Sequence, residues 1–366
     1  MAPLQWGLGH ATRCIPLVKQ LINQNCEVYI AAEGAAYSLL KQEFGEITFL
    51  PLMGYNIQYS RKKYFLPWKI FAQLPKIIFT IYKEHQWIKK IAKEYKIDAV
   101  ISDNRFGMYH SKITSIYITH QLVIKTGNSL IEKIGKKIHF YFINKYTECW
   151  VPDFAQRATD GEINGLAGDL SHPKNLPKNI KYLGALSRFE LYTAAKKYDL
   201  LISISGPEPQ RTIFENKILS DLQSYSGKIL FLRGLPNETA TLKIKNSGIE
   251  IKNHLSGMQL NEAILQSNIV ISRCGYTTIM DLIKLQKKAI LIPTPGQTEQ
   301  EYLANYLKEK NIFYTISQKD FDLQNVLKQA GSFSFNIPEY NMEQYKNVVN
   351  QFVQSLINVT LQKDLM

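Results

Sequence analysis

The chain of 366 residues carries 44 Lys and Arg against 31 Asp and Glu, a net charge of +13 at neutral pH, with 45% apolar and 20% charged residues. That length admits two domains with separate cores, and the excess charge calls for an anionic partner: nucleic acid, a nucleotide substrate or anionic lipid. No run of about twenty uncharged apolar residues occurs, which excludes a helical membrane span, and the four cysteines, Cys14, Cys26, Cys149 and Cys274, lack metal-ligand spacing and read as reduced thiols of a cytosolic protein.

Ala2 to Gln5 reads as a short strand that stops at Trp6-Gly7-Leu8-Gly9-His10, and Ala11 to Asn23 as a helix with Ile15, Val18, Leu21 and Ile22 on one side. Such a strand is normally central and longer, so the natural start is expected upstream of Met1; an in-frame stop codon directly before Met1 would contradict this. The glycines let the backbone approach a ligand, and His10 at the helix mouth has the near-neutral pKa that a general base needs, although a turn with a capping histidine would look the same. Further strands read at Cys26 to Ala31, Ile47 to Leu50, Ile97 to Ser102, Ser115 to Thr119, Cys149 to Val151 and Lys181 to Leu183. Helices read at Ala35 to Gln42, Trp68 to Lys93 and Ser129 to Asn144. Asp103 ends one strand, where it can orient His10, act as the base itself, or cap the next helix. His120 follows the next strand.

Between Tyr55 and Lys96 basic residues interleave with aromatics. On a helical wheel Lys69, Gln73, Lys76, Thr80 and Lys83 form one narrow stripe, while Trp68, Phe71, Ile78, Phe79 and Tyr82 occupy the broad apolar remainder. Such a helix suits the plane of an anionic membrane surface, with Lys62, Trp68, Lys69, Phe71 and Lys76 touching membrane or acceptor; it equally suits a helix buried on a sheet with its lysines in water. Pro67 and Pro75 argue against one straight spanning helix. No nucleic-acid-binding module is recognisable, which sets nucleic acid aside.

In the second half, strands read at Leu200 to Ile204, Lys228 to Leu232, Ile249 to Lys252, Ile269 to Ser272 and Ala289 to Ile292, with helices from near Gln210, Met258, Tyr276 and Thr298 and a last helix from Met342 to Ile357. Alternating strands and helices mean an α/β fold with parallel, doubly wound sheets. Ser272-Arg273-Cys274-Gly275-Tyr276-Thr277-Thr278 runs from strand through a glycine turn into a helix start, which offers backbone N–H groups and a partial positive charge to an anion. Asp281, a turn further on, is placed to accept hydrogen bonds from neutral hydroxyls. Gln297, Gln300 and Glu301 follow the next strand at the carboxyl edge, where open α/β sheets bind ligands. Ser205 and Gly206, with Arg211 supplying charge, and then Arg233 and His254-Leu255, end neighbouring strands. Each alone is an ordinary strand-to-helix loop. Converging on one edge, they indicate a nucleotide diphosphate.

The stretch 272–305 resembles the C-terminal domain of the GT-B glycosyltransferases of family 28, a group that includes the N-acetylglucosaminyltransferase of lipid-linked peptidoglycan precursor synthesis. The resemblance implies two Rossmann-like domains facing across a cleft: 1–190 for the acceptor and 191–335 for the nucleotide sugar, with a tail, 336–366, whose helix returns to the first domain. It implies a UDP-linked donor with Arg273, Gly275, Tyr276 and Thr277 near the phosphates and the base held by main-chain contacts near His254 and Leu255. Asp281, where the family usually has Glu, would meet the ribose; Gln300 and Glu301, where it has a Gln pair, would meet the sugar. Gly9 and His10 match a Gly-rich loop ending in Gly-His, His120 a further histidine, and Ser205-Gly206 a Gly-Gly-Ser loop from which Pro207-Glu208-Pro209 departs. The implied reaction moves a hexosyl or N-acetylhexosaminyl group by inversion, with His10 as base and without a cofactor or metal. The acceptor would lie on the first domain, at the inner face of the cytoplasmic membrane. A UDP-sugar 2-epimerase of the same architecture, and a catalytically idle nucleotide-binding protein of the membrane surface, are the alternatives.

Overall fold

The computed structural model describes residues 1–5, 7–55, 66–155, 165–223, 225–240, 242, 244 and 246–364; the side chains of 66–72, 360 and 362–364 are not described. Two compact units are present, one formed by Met1–Ser187 with Asn341–Met366, the other by Arg188–Tyr340.

The first unit contains β1 (Ala2–Pro3), α1 (Leu8–Asn23), β2 (Tyr29–Ala31), α2 (Gly34–Glu43), β3 (Thr48–Leu50), α3 (Leu66–Glu94), β4 (Ala99–Asp103), β5 (Thr114–Ile118), α4 (Ser129–Ile143), β6 (Glu148–Val151) and β7 (Ile180–Tyr182). Strands β1, β4, β5, β6 and β7 lie side by side in that order, and β2 pairs with β3, all parallel. The Met1 ammonium donates to Tyr29 O and Ala31 N–H donates to Met1 O, both at 2.8 Å, so the ladder continues from β1 onto β2. Strand order therefore reverses at β1, between β2 and β4, and a reversal of this kind opens a crevice at the carboxyl edge. Ala11, Ile15 and Val18 of α1 pack with Ala36 and Leu40 of α2 on one face. Ile88 of α3 packs on Ala2 and Val100, and Ile143 of α4 on Tyr117 and Val151; right-handed crossovers put these two helices on the other face. Helix α1 starts earlier than the apolar pattern suggests, which draws Gly9 and His10 into its first turn.

A buried ion pair braces the turn after β4. Glu84 of α3 accepts from Arg105 Nε at 2.8 Å, from the Gly107 N–H at 2.9 Å and from the Tyr55 hydroxyl at 2.7 Å. Arg105 also donates to Met53 O, and the Tyr146 hydroxyl donates to Arg105 O. Gly107 is obligatory, since a Cβ there would stand 2.2 Å from Ile81 O. Burial pushes the Glu84 carboxyl up, and Arg105 pulls it part of the way back.

The second unit contains β8 (Tyr198–Ser203), α5 (Gln210–Leu222), β9 (Ile229–Leu232), β10 (Ile249–Lys252), α6 (Gly257–Gln266), β11 (Ser267–Arg273), α7 (Tyr276–Lys284), β12 (Ala289–Ile292), α8 (Thr298–Glu309), β13 (Tyr314–Thr315) and α9 (Leu323–Gly331). Its six parallel strands run β10-β9-β8-β11-β12-β13, with the order reversing at β8. Two elements had no counterpart in the sequence reading. β13 is only two residues long, while α9 buries Leu323, Val326 and Ala330 at helical spacing behind an Asp322 cap that accepts from Asn325 N–H at 2.8 Å. The last helix, α10 (Gln344–Asp364), belongs to the first unit: Gln20 Nε2 donates to Asn350 Oδ1 at 2.7 Å, and Phe352 meets Trp150 edge-on with ring centroids 5.3 Å apart. No described helix is long and apolar enough to cross a membrane.

Replacing Arg105 by Met leaves Glu84 without its cation in a site that is 2% exposed. The expected cost is about 3–5 kcal/mol of unfolding free energy. Urea unfolding should also show that adding Glu84→Gln recovers part of it, because the two residues share one network.

Candidate active site

At the carboxyl edge of the first unit, Asp103 ends β4 with its carboxylate fully buried. His10 Nδ1 lies 2.9 Å from Asp103 Oδ1, Arg13 Nε donates to Oδ2 at 2.6 Å, and Arg13 Nη2 donates to Oδ1. Arg13 Nη1 lies 3.0 Å from Nδ1 of His120, two residues past β5. Helix α1 presents His10 and Arg13 together because they are three residues apart on one face. Burial alone would raise the Asp103 carboxyl; Arg13 and then His10 outweigh it and hold the group far below its usual range. Asp103 therefore stays an anion with little affinity for a proton, held against His10 and Arg13. Burial also lowers the His10 pKa, Asp103 opposes and Arg13 reinforces the lowering. At 14% side-chain exposure His10 is neutral at physiological pH, and its ring still reaches solvent.

The second unit gathers its loops in the same way around Arg273, the last residue of β11. Arg273 is 2% exposed, donates to Gln210 O at 3.1 Å, and lies with its guanidinium 4.4 Å from the Phe214 ring centre. Its Nη1 is buried without a hydrogen-bond partner, and among the described residues no carboxylate pairs with it. Burial lowers its pKa to about 10, so it remains a cation. Thr294 Oγ1, also buried without a partner, stands 3.6 Å from where a Cβ on Gly206 would be. Gly206 has φ +111°, a conformation open to glycine. Helices α5, α7 and α8 all begin here without a side-chain cap, whereas α6 has a full capping box. Gly275 has an ordinary φ of −82°, and a Cβ there would meet only Thr278 Oγ1 at 3.9 Å. Neither backbone nor neighbours demand glycine, so the two-residue turn from β11 into α7 is made without a left-handed residue and leaves open space before α7. Asp281 joins Ser203, Ser205, Ser272 and Thr278 in lining a small cavity of about 70 Å³. A larger hollow, about 540 Å³, opens at the amino edge of the sheet among Lys196, Lys228 and Asn268, away from these loops.

The structure thus gathers His10, Asp103 and His120 in one unit, and Ser205, Gly206, Arg273, Gly275 and Asp281 in the other. Tyr276 is buried and Thr277 half-buried in the first turn of α7. Gly9 accepts from the Thr12 hydroxyl through its carbonyl. Other side chains are otherwise engaged. Arg211 is paired with Glu208 and Glu215, and Arg233 with Glu215, so neither charge is open to an anion as expected for Arg211. Gln300 accepts from Thr294 N–H and bonds Gln297, and Glu301 accepts from Gly296 N–H; these three shape their own loop. His254 is exposed on the loop after β10 and Leu255 buried beside it. Lys62 lies outside the described residues, as do the side chains of Trp68, Lys69 and Phe71; Lys76 is exposed on α3. Sequence reasoning missed Arg13 and Thr294. Arg13 lies one helical turn past His10, a spacing that could have flagged it.

Replacing Arg273 by Ala removes the buried cation and should weaken binding of a nucleoside diphosphate by about 2–3 kcal/mol, the range of charge-assisted hydrogen bonds. Isothermal titration against Arg211→Ala, expected to change affinity much less, checks this.

Residues 219–359 match the model of the glycosyltransferase family 28 C-terminal domain. An uncharacterised glycosyltransferase of Methanosarcina acetivorans is 24% identical over 338 residues, covering 83% of this chain and 81% of that protein. The UDP-N-acetylglucosamine–N-acetylmuramyl-(pentapeptide) pyrophosphoryl-undecaprenol N-acetylglucosamine transferase of Rickettsia akari is 21% identical over 345 residues, covering 85% and 84%. Among solved structures, the glycotransferase of kitacinnamycin superposes with a TM-score of 0.63 at 12% identity, covering 97% of this chain and 94% of that one. The domain match, relatives that span most of the chain and the shared fold identify a glycosyltransferase of GT-B architecture whose second half carries a family 28 C-terminal domain.

Proposed function

We propose that the protein moves a hexosyl or N-acetylhexosaminyl group from a UDP-linked donor to an acceptor at a lipid surface, with inversion at the sugar carbon. The observation that carries this reading is the His10–Asp103 pair: a neutral imidazole, oriented by a carboxylate that stays ionised, in a glycosyltransferase fold. The acceptor hydroxyl gives its proton to His10 as its oxygen bonds the anomeric carbon, and the bond from that carbon to the diphosphate breaks on the opposite face. The donor belongs to the second unit. Its diphosphate takes the place before α7, where Arg273 Nη1, Thr294 Oγ1 and the uncapped helix starts offer donors to the departing charge. Asp281 accepts from the ribose hydroxyls. The epimerase reading is disfavoured by the same site, because that chemistry needs several carboxylates that exchange protons and Asp103 is locked as an anion.

His10→Ala should lower kcat by about 10²–10⁴-fold and leave the thermal shift given by UDP unchanged. Because the folded His10 pKa is lowered, the base stays unprotonated to below the ordinary histidine range. The acid limb of kcat/KM in the parent should therefore fall at a pH under about 6.5. Rapid interconversion of UDP-sugars without an acceptor would instead establish the epimerase.

The lipid surface is supported by α4 as well as by α3, the helix expected from sequence alone. Leu130, Ile131, Ile134, Ile138 and Tyr141 are 49–65% exposed and form one stripe about 100° wide. Lys133 and Lys137 run along one side of it, and Lys145 lies just past its end. On α3, Ile78, Phe79 and Tyr82 are exposed as well. An apolar stripe edged with lysines lies in an anionic interface with its charges among the head groups. Co-sedimentation with anionic vesicles should be lost when Ile134 and Ile138 are both changed to Asn, with the melting temperature kept; a parent that never sediments would end the lipid reading.

A further inference from the structure

Arg13 touches three polar side chains at the carboxyl edge of the first unit: Asp103, His10 and His120. Its Nε lies 2.6 Å from Asp103 Oδ2, its Nη2 bonds Asp103 Oδ1 and stands 2.9 Å from His10 Nδ1, and its Nη1 stands 3.0 Å from His120 Nδ1. All of this occurs in a site where Arg13 is 2% exposed. A guanidinium donates and never accepts, and it keeps its charge. Those properties turn three distances into a statement about protons.

His10 Nδ1 lies 2.9 Å from a carboxylate oxygen. Two bare lone pairs cannot face each other at that separation, so the proton lies on Nδ1. Arg13 Nη2 approaches the same nitrogen at 2.9 Å, but the carboxylate, which cannot donate, decides that contact: the proton lies on Nδ1, and both nitrogens donate to Oδ1. His120 meets the same guanidinium through Nδ1, without the Asp103 contact that fixes the proton of His10. Its Nδ1 faces a guanidinium N–H at 3.0 Å, and that nitrogen must be bare to accept it.

We infer that Arg13 is a positioning residue that sets the two histidines in opposite tautomers: His10 with Nδ1–H and a bare, proton-accepting Nε2, His120 with a bare Nδ1 and a hydrogen-bond-donating Nε2–H. Each ring carries one proton, and the two functional nitrogens differ in sign. Lysine cannot replace it, since one ammonium on a flexible stem does not span the carboxylate and His120 as a planar fork does. The lowered His10 pKa agrees, since a ring must be neutral to have a tautomer. The effect on turnover rests on His10 being the base; the tautomers do not.

Two-bond ¹H–¹⁵N correlation of the imidazoles in the ¹⁵N-labelled full chain, near neutral pH and without substrate, reads both protons directly. His10→Gln and His120→Gln assign the signals. The parent should show His10 protonated at Nδ1 and His120 at Nε2; His10 at Nε2 or His120 at Nδ1 overturns the assignment. In Arg13→Lys, His120 should become a tautomer mixture and kcat should fall about 10²-fold with donor KM kept within about twofold. Single, unchanged tautomers in a folded Arg13→Lys would overturn the positioning role, and Arg13→Gln takes its place should that variant not fold. The expected tautomers in a protein that transfers no sugar would support this assignment and sink the proposed reaction alone.

Discussion

A carboxylate with no exposure to water has to find its compensation inside the protein, and in the first unit that requirement organises the carboxyl edge. Asp103 ends β4 beside β1, where strand order reverses, and β1 leads directly into α1. The guanidinium and imidazole that satisfy Asp103 both come from the first two turns of α1. The register of β1 against β4 and the early start of α1 are therefore parts of one electrostatic arrangement. The loop after β5 joins through His120, and the Glu84–Arg105 pair braces the backbone just past Asp103. A histidine braced in this way needs no rearrangement before accepting a proton, which is where preorganised sites gain their rate.

The second unit solves the complementary problem. Arg211 and Arg233 are neutralised by Glu215, and Arg211 also by Glu208, so that cluster is self-contained. Arg273 has an aromatic face and backbone carbonyls for partners but no carboxylate among the described residues. Leaving a guanidinium N–H buried without an acceptor costs free energy that a stable domain does not normally spend. An incoming diphosphate would supply that acceptor. One unit thus holds a buried anion against a histidine, and the other a buried cation that no carboxylate among the described residues neutralises.

Much of this was legible in the chain. Alternating β-branched runs and amphipathic stretches located nearly every strand and helix, because both periodicities are local. Gly9-His10 and Ser272-Arg273-Cys274-Gly275 stood out because glycine and polar residues at strand ends have few structural uses in common. The pairings were not legible. Arg211 and Arg273 look alike in sequence, and only the positions of Glu208 and Glu215 make one neutral and the other open. Gln300 and Glu301 read as ligand contacts, yet each has a backbone N–H of its own loop within reach. The exposed stripe of α4 was hidden for the same reason: an apolar helix face reads as core until its neighbours are known.

The sequence by itself determined the fold class, the two halves and the strand-end loops that carry polar chemistry, since those depend on spacing within a few residues. Tertiary structure decided the charge state and availability of each side chain. Asp103 lies 93 residues from His10 and 90 from Arg13 along the chain. Electrostatic energy depends on distance in space and on burial, neither of which the order of residues displays.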